Sequence, residues 1–286
     1  MNIQHQDWKM ISELVMSHSI EAASQILKWE VIGIAVSIAL IIVFWKRNLL
    51  KRPANKYYNW AVKLYIPMIL VVGFIFFGKI GVIKFAHKTL TKENEAAVDM
   101  IYKNSLGRVL GSADDEKSLI RYAEKIGTTV KTVEEGMDNL VYYITFNSDS
   151  TSNFVEKTVA AQMAGYFWKT KGKEIVYSSV YYLLAMALEK AHLPVDVEKE
   201  FTYENFKLGV EKLKDLDAKE FEDGIKNTIG GKTQKFIDSK MNTMFYMTLL
   251  TWLLIVLIPV IEYWAYKKFF EKKLLAQTNP KDNMIQ

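Results

Sequence analysis

Three apolar stretches, each near the length needed to cross a bilayer, limit what this chain can fold into more than any other feature. The first covers residues 31–45, the second has its core at 64–78, and the third, at 249–261, holds one polar side chain, Thr251. With their flanks they approach the roughly 20 residues that a spanning helix requires. Helices buried in a soluble core are the alternative, but such helices need no aromatic and basic flanks.

Aromatic residues lie at the ends of these stretches, where tryptophan and tyrosine are enriched at membrane–water boundaries. The predicted interfacial anchors are Trp29, Trp45, Trp60, Trp264 and Tyr266. Pro67 lies near the start of the second stretch and is expected to kink that helix. The pattern therefore predicts three transmembrane helices.

The distribution of positive charge predicts the orientation of these helices. Residues 46–56, between the first two stretches, carry five positive charges and no negative one. Lysine and arginine in short loops mark the cytoplasmic side, and three spans place this loop and the basic C-terminal tail on the same side. The residues predicted to lie inside are Lys46, Arg47, Lys51, Arg52, Lys56, Lys267 and Lys268.

The predicted fold class is an all-α membrane protein with three transmembrane helices and a helix-rich extracytoplasmic domain between spans two and three. The predicted segments are an outside amphipathic helix at 1–28, transmembrane helices at 29–46, 58–84 and 243–266, a basic cytoplasmic loop at 47–57, the extracytoplasmic domain at 85–242 and a basic cytoplasmic tail at 267–286. The absence of an Asn-x-Ser/Thr sequon fits a bacterial protein. The predicted location is a bacterial inner membrane, N-terminus outside, C-terminus inside, with a periplasmic middle domain.

Charge excludes nucleic acid as an expected partner. The chain has a formal charge of +5, yet residues 86–240 hold 22 Lys/Arg against 25 Asp/Glu, a net charge of −3. The excess of positive charge therefore lies in the segments that flank the membrane, where it favours contact with anionic lipid.

The middle segment is predicted to form helices from their capping signals and apolar spacing. The expected helices are 114–126 after Ser112, one opened by Thr132 and Glu135, 154–168 after Asn153, 174–191, 202–216, 219–229 ending at Gly230-Gly231, and one from Thr233 into the third span. Residues 140–146 have strand-like composition but are assigned to a helix. Residues 175–188 are too short to span and are predicted to form a core helix, with a re-entrant segment as the alternative.

The first 28 residues contain an amphipathic pattern and no apolar run of the kind found in a signal peptide. Its apolar face is expected either to lie in the membrane interface or to pack against the middle domain. The face comprises Trp8, Ile11, Val15, Ala22 and Ile26, with Leu14 beside them.

No sequence motif predicts catalysis, a metal site or a cofactor. The chain has no cysteine, and its four histidines have no second ligand at metal-binding spacing. Gly230-Gly231-Lys232-Thr233 resembles the end of a phosphate-binding loop, but Lys226 occupies the position where that loop needs a glycine. An enzyme, including one acting on lipid or cell wall, is therefore not expected.

Two features within the predicted membrane segments suggest helix contacts. Gly33 and Ser37 are four residues apart, as are Ala35 and Ala39, a spacing that lets helices approach closely, either within one chain or between copies. Lys63 and Glu262 lie near the same membrane boundary. Ionisable groups at that depth tend to pair, so these two are predicted to approach each other, unless both extend separately to the surface.

Three functions fit this layout, and none rests on a catalytic group. The first is a non-enzymatic membrane subunit that assembles into a multiprotein envelope complex of the secretion, conjugation or phage-related kind. The second is an oligomeric pore-forming or channel-like effector, and the third a membrane sensor with an external ligand domain. The expected partners are the lipid bilayer and either further copies of the chain or other envelope proteins.

Overall fold

A computed structural model describes most of the chain as helix. The described residues are 8, 11–12, 15–16, 18–52, 56–104, 107, 121–126, 128–149, 158–191, 202–215 and 218–271. Within them no residue forms a β-strand, so the all-α prediction is confirmed for this part of the chain. The residues predicted to open helices at Ser112 and Asn153 lie outside the described residues.

The helices are numbered in chain order. They are α1 (Ser19–Lys46), α2 (Lys56–Val62), α3 (Tyr65–Lys92), α4 (Asn94–Asn104), α5 (Val133–Asp149), α6 (Val159–Lys190), α7 (Tyr203–Lys212) and α8 (Ala218–Ala265). A 3₁₀ turn, Leu213–Asp215, follows α7, and a π-helical turn, Tyr266–Glu271, follows α8. Residues 121–126 are also helical.

The chain divides into two compact units. The span unit comprises Met1–Lys88 and Ser239–Gln286, and the inserted unit comprises Thr89–Asp238. The span unit is therefore built from the two ends of the sequence, and the inserted unit is the continuous segment between them.

Three helical segments of the described chain are long and apolar enough to cross a membrane, as predicted. They are α1, Lys56–Lys92 (α2 with α3) and Glu222–Phe269. Large apolar side chains on all three are exposed, among them Ile42 at 50%, Val71 at 56% and Leu254 at 57%. Apolar exposure on this scale is unfavourable in water. It is consistent with an integral membrane protein.

Pro67 explains why the second candidate span starts with two helices. A proline has no N–H to donate to the carbonyl four residues earlier, and its ring crowds that carbonyl. The carbonyl of Lys63 instead accepts from the Ile66 N–H at 3.1 Å, and Met68 N–H donates to Leu64 O at 3.3 Å. The helix is interrupted at Lys63 and Leu64, and α3 begins at Tyr65.

The small residues of α1 pack against α3 within the chain. A Cβ added to Gly33 would lie 2.5 Å from Phe77 Cβ and 2.8 Å from Gly73 O, and one added to Gly73 would overlap Ser37 Oγ. Gly33 and Ser37 are buried, whereas Ala35 and Ala39 on the other face are exposed. The sequence allowed contact within one chain or between copies. In the described chain, Gly33 and Ser37 are used for contact between its own helices.

The close contact continues along α3 toward its C-terminal half. A Cβ on Gly81 would lie 2.8 Å from Ile26 Cα, and one on Gly78 would lie 3.0 Å from Glu30 Oε1. The glycines of α3 therefore let α1 approach almost backbone to backbone, which maximises dispersion contacts between the helices. A core of buried side chains completes the span unit: Phe44, Leu50, Val62, Ile69, Phe77, Ile80, Trp252 and Val256.

The inserted unit is organised around α6. Helices α4, α5 and α7 each pack against it. Its N-terminus is capped by Thr158, whose Oγ1 accepts from the Ala161 N–H at 3.2 Å, and its apolar side chains are buried through Leu188. The helix contains residues 175–188, so their prediction as a core helix is confirmed. The predicted break between 168 and 174 is wrong, because Gly172 at that point is accommodated inside the helix.

The predicted helix end at Gly230-Gly231 is also wrong, because these residues lie inside α8. The helix continues through Gly230 and Gly231, where the sequence predicted a helix terminus, and a Cβ on Gly231 would meet no atom within 4 Å. Neither glycine has a positive φ, so both adopt ordinary helical geometry. Asn94 binds the helix at this point, because its Nδ2 donates to Gly230 O at 3.3 Å and its Oδ1 accepts from Thr233 Oγ1 at 2.7 Å.

Three other local predictions are confirmed. Thr132 caps α5, since its Oγ1 accepts from the Glu135 N–H at 3.2 Å, while the Glu135 carboxylate accepts from the Lys131 N–H. Residues 140–146 lie within α5 and are helical. The helix predicted from 202 begins after the Thr202 cap and buries Phe206 and Val210 as expected from their spacing.

Candidate functional site

A fully buried arginine lies in the segment that was predicted to be a basic cytoplasmic loop. The side chain of Arg52 has no exposed surface, although its neighbour Lys51 is exposed. A buried guanidinium is costly unless each of its donors has a partner. We refer to Arg52 and the residues that surround it, which are Tyr58, Asn59, Glu262, Tyr263 and Tyr266, as the arginine clamp.

The loop itself supplies two acceptors for the guanidinium of Arg52. After α1 ends, Asn48 adopts a positive φ of 55°, a conformation that asparagine tolerates better than most residues. The turn brings the carbonyl oxygens of Leu49 and Lys51 to Arg52, and each accepts from Nη1 at 2.9 Å. The backbone N–H of Arg52 donates to Asn59 Oδ1 at 2.8 Å, which links the loop to α2.

The third candidate span supplies the counter-charge. Nη2 of Arg52 forms an ion pair with Glu262 Oε2, and Nε lies 3.4 Å from Glu262 Oε1. The hydroxyl of Tyr58 donates to the same Oε1 atom. Two aromatic rings cover the guanidinium, with the Tyr263 centroid at 4.8 Å and the Tyr266 centroid at 5.2 Å from Cζ.

This geometry makes the clamp a connector between elements that are far apart in sequence. A planar guanidinium can bind a carboxylate with two nitrogens and still donate to backbone carbonyls, which a lysine ammonium cannot reproduce. Arg52 and Glu262 neutralise each other, and they are separated by 210 positions in the chain. The clamp therefore joins the loop after α1, the start of α2 and the end of α8 within the span unit.

Glu262 has an ion-pair partner other than Lys63, and the predicted approach of Lys63 to Glu262 stays a prediction. Glu262 pairs with Arg52, and its carboxylate also accepts from Tyr58, whereas Lys63 is exposed and lines a cavity with Trp45 and Asn59. Arg52 is the stronger candidate for this carboxylate because a buried guanidinium is costly without a counter-charge. A long flexible lysine at a membrane boundary can instead extend to polar surroundings. Arginine is rare in this chain, at four positions, and its occurrence at 52 was the signal that could have identified the site.

The predicted anchors and basic residues mostly lie at the surface. Trp45, Trp60 and Trp264 are 59%, 67% and 61% exposed, and Trp29 packs partly against the core. Tyr266 differs from its prediction, because only 4% of it is exposed and its ring lies 5.6 Å from that of Tyr58 in the clamp. Among the predicted inside residues, Arg52 is buried and the following are exposed: Lys46, Arg47, Lys51, Lys56, Lys267 and Lys268.

A second charged cluster lies in the inserted unit. The Lys226 ammonium donates to Asp99 Oδ1 at 2.7 Å and to Glu222 Oε1 at 2.6 Å, and it lies over the Tyr102 ring. Burial raises the pKa of Tyr102, and the Glu222 carboxylate adds to this rise. The hydroxyl therefore stays neutral across the physiological range. The cluster connects α4 to α8 and is a tertiary contact between these helices.

Among the side chains that the structure describes, no group of three or more His, Asp or Glu residues is placed to hold a metal ion. The described chain thus falls into the class of all-helical proteins with three helices able to cross a membrane. Comparisons with protein-family models, with curated proteins and with solved structures find no match to it.

Proposed function

We propose that the chain is a non-enzymatic integral membrane subunit of a multiprotein envelope complex of the secretion, conjugation or phage-related kind. In this proposal the span unit fixes the protein in the inner membrane, and the inserted unit is the periplasmic part that binds other subunits. The observation that carries the proposal is the division of the chain, in which a helical unit with its own core is inserted between two candidate spans.

The surface of the inserted unit supports a role in binding proteins. Three tyrosines on α5 and α6 are substantially exposed, namely Tyr142 at 66%, Tyr177 at 42% and Tyr182 at 37%. Tyrosine is enriched at protein interfaces, because its ring buries a large area at a small entropic cost and its hydroxyl still forms hydrogen bonds. These side chains are the candidate contacts for a partner subunit.

A pore assembled through the small-residue face of α1 has less support. That arrangement would need Gly33 and Ser37 to be available to a second copy. Both are already buried against Gly73 and Phe77 of α3. Of the two small-residue pairs on α1, only Ala35 and Ala39 are exposed.

The test of assembly is site-specific photocrosslinking in native cells. A benzophenone amino acid at Tyr142 or Tyr177 is expected to give discrete adducts with membrane or envelope proteins, identified by mass spectrometry. The matched control is the same amino acid at Thr129, an exposed non-aromatic position of the inserted unit. The proposal fails if neither tyrosine position gives an adduct beyond those of the control.

Orientation is tested by labelling single cysteines, which the cysteine-free chain makes simple. Ser19→Cys and Thr129→Cys are expected to react with an impermeant thiol reagent in intact spheroplasts, and Tyr57→Cys and Phe269→Cys only after permeabilisation. All four positions are exposed and uncharged, so the substitutions preserve the charge pattern that sets topology. Equal labelling of Tyr57→Cys and Thr129→Cys in intact spheroplasts would contradict the periplasmic placement.

A further inference from the structure

A cavity of about 270 Å³ lies in the span unit beside the arginine clamp. Its lining is mostly apolar, with an indole, two aliphatic side chains, two lysines and one amide. The lining residues are Trp45, Leu50, Lys51, Asn59, Lys63 and Ile66. The volume is below that of a pocket for a whole drug-sized molecule and suits a smaller headgroup fragment.

The charges of this cavity are unbalanced. Arg52, next to Lys51 in the sequence, is already neutralised by Glu262, and no carboxylate of the described residues forms an ion pair with Lys51 or Lys63. The amide oxygen of Asn59 accepts from the Arg52 N–H, so its Nδ2 group remains available as a donor. Two ammonium groups and an amide N–H form a donor set that matches a phosphate.

The apolar part of the lining indicates which kind of molecule carries the phosphate. Leu50 and Ile66 present aliphatic surface, and Trp45 has the amphipathic indole that is common at headgroup level. A free phosphate would gain nothing from this surface. A phospholipid would use it for the first methylene groups of its acyl chains, and a leaflet rich in anionic lipid attracts the basic loop on which the cavity lies.

We propose that this cavity binds the headgroup phosphate of an anionic phospholipid, with Lys51 and Lys63 as its charge partners and Asn59 as a hydrogen-bond donor. A zwitterionic phosphatidylcholine binds more weakly, because its choline cation is repelled by the two lysines. The inference rests on the membrane location in the proposed function, and it adds a specific lipid site to that function.

The test uses the full-length protein in a neutral detergent, with native mass spectrometry of bound lipid. Short-chain phosphatidylglycerol is expected to bind about 10-fold more tightly than phosphatidylcholine of the same chain length, and Lys51→Gln/Lys63→Gln is expected to remove this preference. The matched control, Lys46→Gln/Lys56→Gln, removes the same charge from exposed positions outside the cavity lining and is expected to change the affinity by less than about 2-fold. Helix content by circular dichroism establishes that each variant is folded.

Several outcomes overturn the inference. Equal losses in the two double variants would mean diffuse attraction to the basic loop and no site. If inorganic phosphate bound to the cavity as strongly as phosphatidylglycerol, the apolar lining would have no role in binding. Absence of any lipid preference would also overturn it, while the crosslinking result for the inserted unit would stand unaffected. Failure of the membrane location itself is detected separately by the cysteine labelling.

Discussion

Arg52→Met is expected to lower the free energy of unfolding of the span unit by about 3 kcal/mol, the largest effect of any single substitution in the basic loop. The change leaves the Glu262 carboxylate without its counter-charge and frees the Leu49 and Lys51 carbonyls from their shared donor. Breaking a buried ion pair by removing one partner costs about 3–5 kcal/mol, and the lower end applies because Glu262 is 20% exposed. Titration with sodium dodecyl sulfate in mixed micelles, followed by tryptophan fluorescence, measures the change.

Two further variants separate the geometry of the clamp from its charge. Arg52→Lys preserves the charge but cannot bind two carboxylate oxygens and two carbonyls together, so it is expected to recover only part of the loss. Arg47→Met removes a charge from an exposed position in the same loop and is expected to change stability by less than about 0.5 kcal/mol. Equal effects at positions 47 and 52 would show that the clamp does not stabilise the span unit.

The partner of Arg52 is identified by a double-mutant cycle. Arg52→Met/Glu262→Met replaces both charges by apolar side chains, so it leaves no uncompensated charge in the site. Its stability loss is expected to be smaller than the sum of the two single losses by about 1–3 kcal/mol. The same cycle with Lys63→Met and Glu262→Met is expected to be additive, because Lys63 is not the ion-pair partner of Glu262. A coupling between Lys63 and Glu262 larger than that of Arg52 would restore the pair predicted from sequence.

Gly33→Leu is expected to destabilise the span unit by about 3 kcal/mol and to separate α1 from α3. Even a Cβ at this position would meet the Gly73 carbonyl oxygen at 2.8 Å and Phe77 Cβ at 2.5 Å. The carbonyl oxygen belongs to the backbone of α3, so the steric clash can be relieved only by a shift of the helix. Overpacking of a close contact typically costs about 1–3 kcal/mol, and a leucine on a backbone contact belongs at the upper end. The measurement is again unfolding in mixed micelles.

The control for this variant lies on the same helix. Ala35→Leu adds a similar volume at an exposed position two residues away and is expected to leave stability within about 0.5 kcal/mol of the parent. A second experiment tests the contact between α1 and α3 with a pair of compensating substitutions. Gly73→Ala places a methyl group against Ser37 Oγ, and adding Ser37→Gly is expected to recover part of the loss. If Ala35→Leu were the more damaging substitution, the helix would pack through its other face.

Much of the architecture was predictable because burial in a bilayer imposes a length and composition that few other structures share. The three apolar stretches became three candidate spans, and residues 175–188, whose apolar run is short for a span, lie in the buried helix α6. Helix ends were less predictable. Gly230 and Gly231 weaken a helix by about 1 kcal/mol each, but the contacts of Asn94 and the length of α8 on both sides outweigh that local preference.

The candidate site was only partly predictable, because its residues are distant in sequence. Lys63 and Glu262 were paired from their depth in the membrane alone, which gives no information about direction around a helix axis. The actual partner, Arg52, was counted as one of several loop charges, and its burial depends on the turn at Asn48 and on two tyrosine rings from the other end of the chain. Gly73, Gly78 and Gly81 of α3 are unevenly spaced in the sequence, so their close contacts with α1 are evident only from the packed helices.

The sequence separation within the clamp has a consequence for biosynthesis. Arg52 leaves the ribosome 210 residues before Glu262, which corresponds to about 10–40 s of translation at ordinary elongation rates. During that interval the nascent chain holds an arginine whose acidic partner does not yet exist. A polypeptide that stops between these two positions contains the guanidinium but lacks its carboxylate, so the clamp can form only after Glu262 has been synthesised.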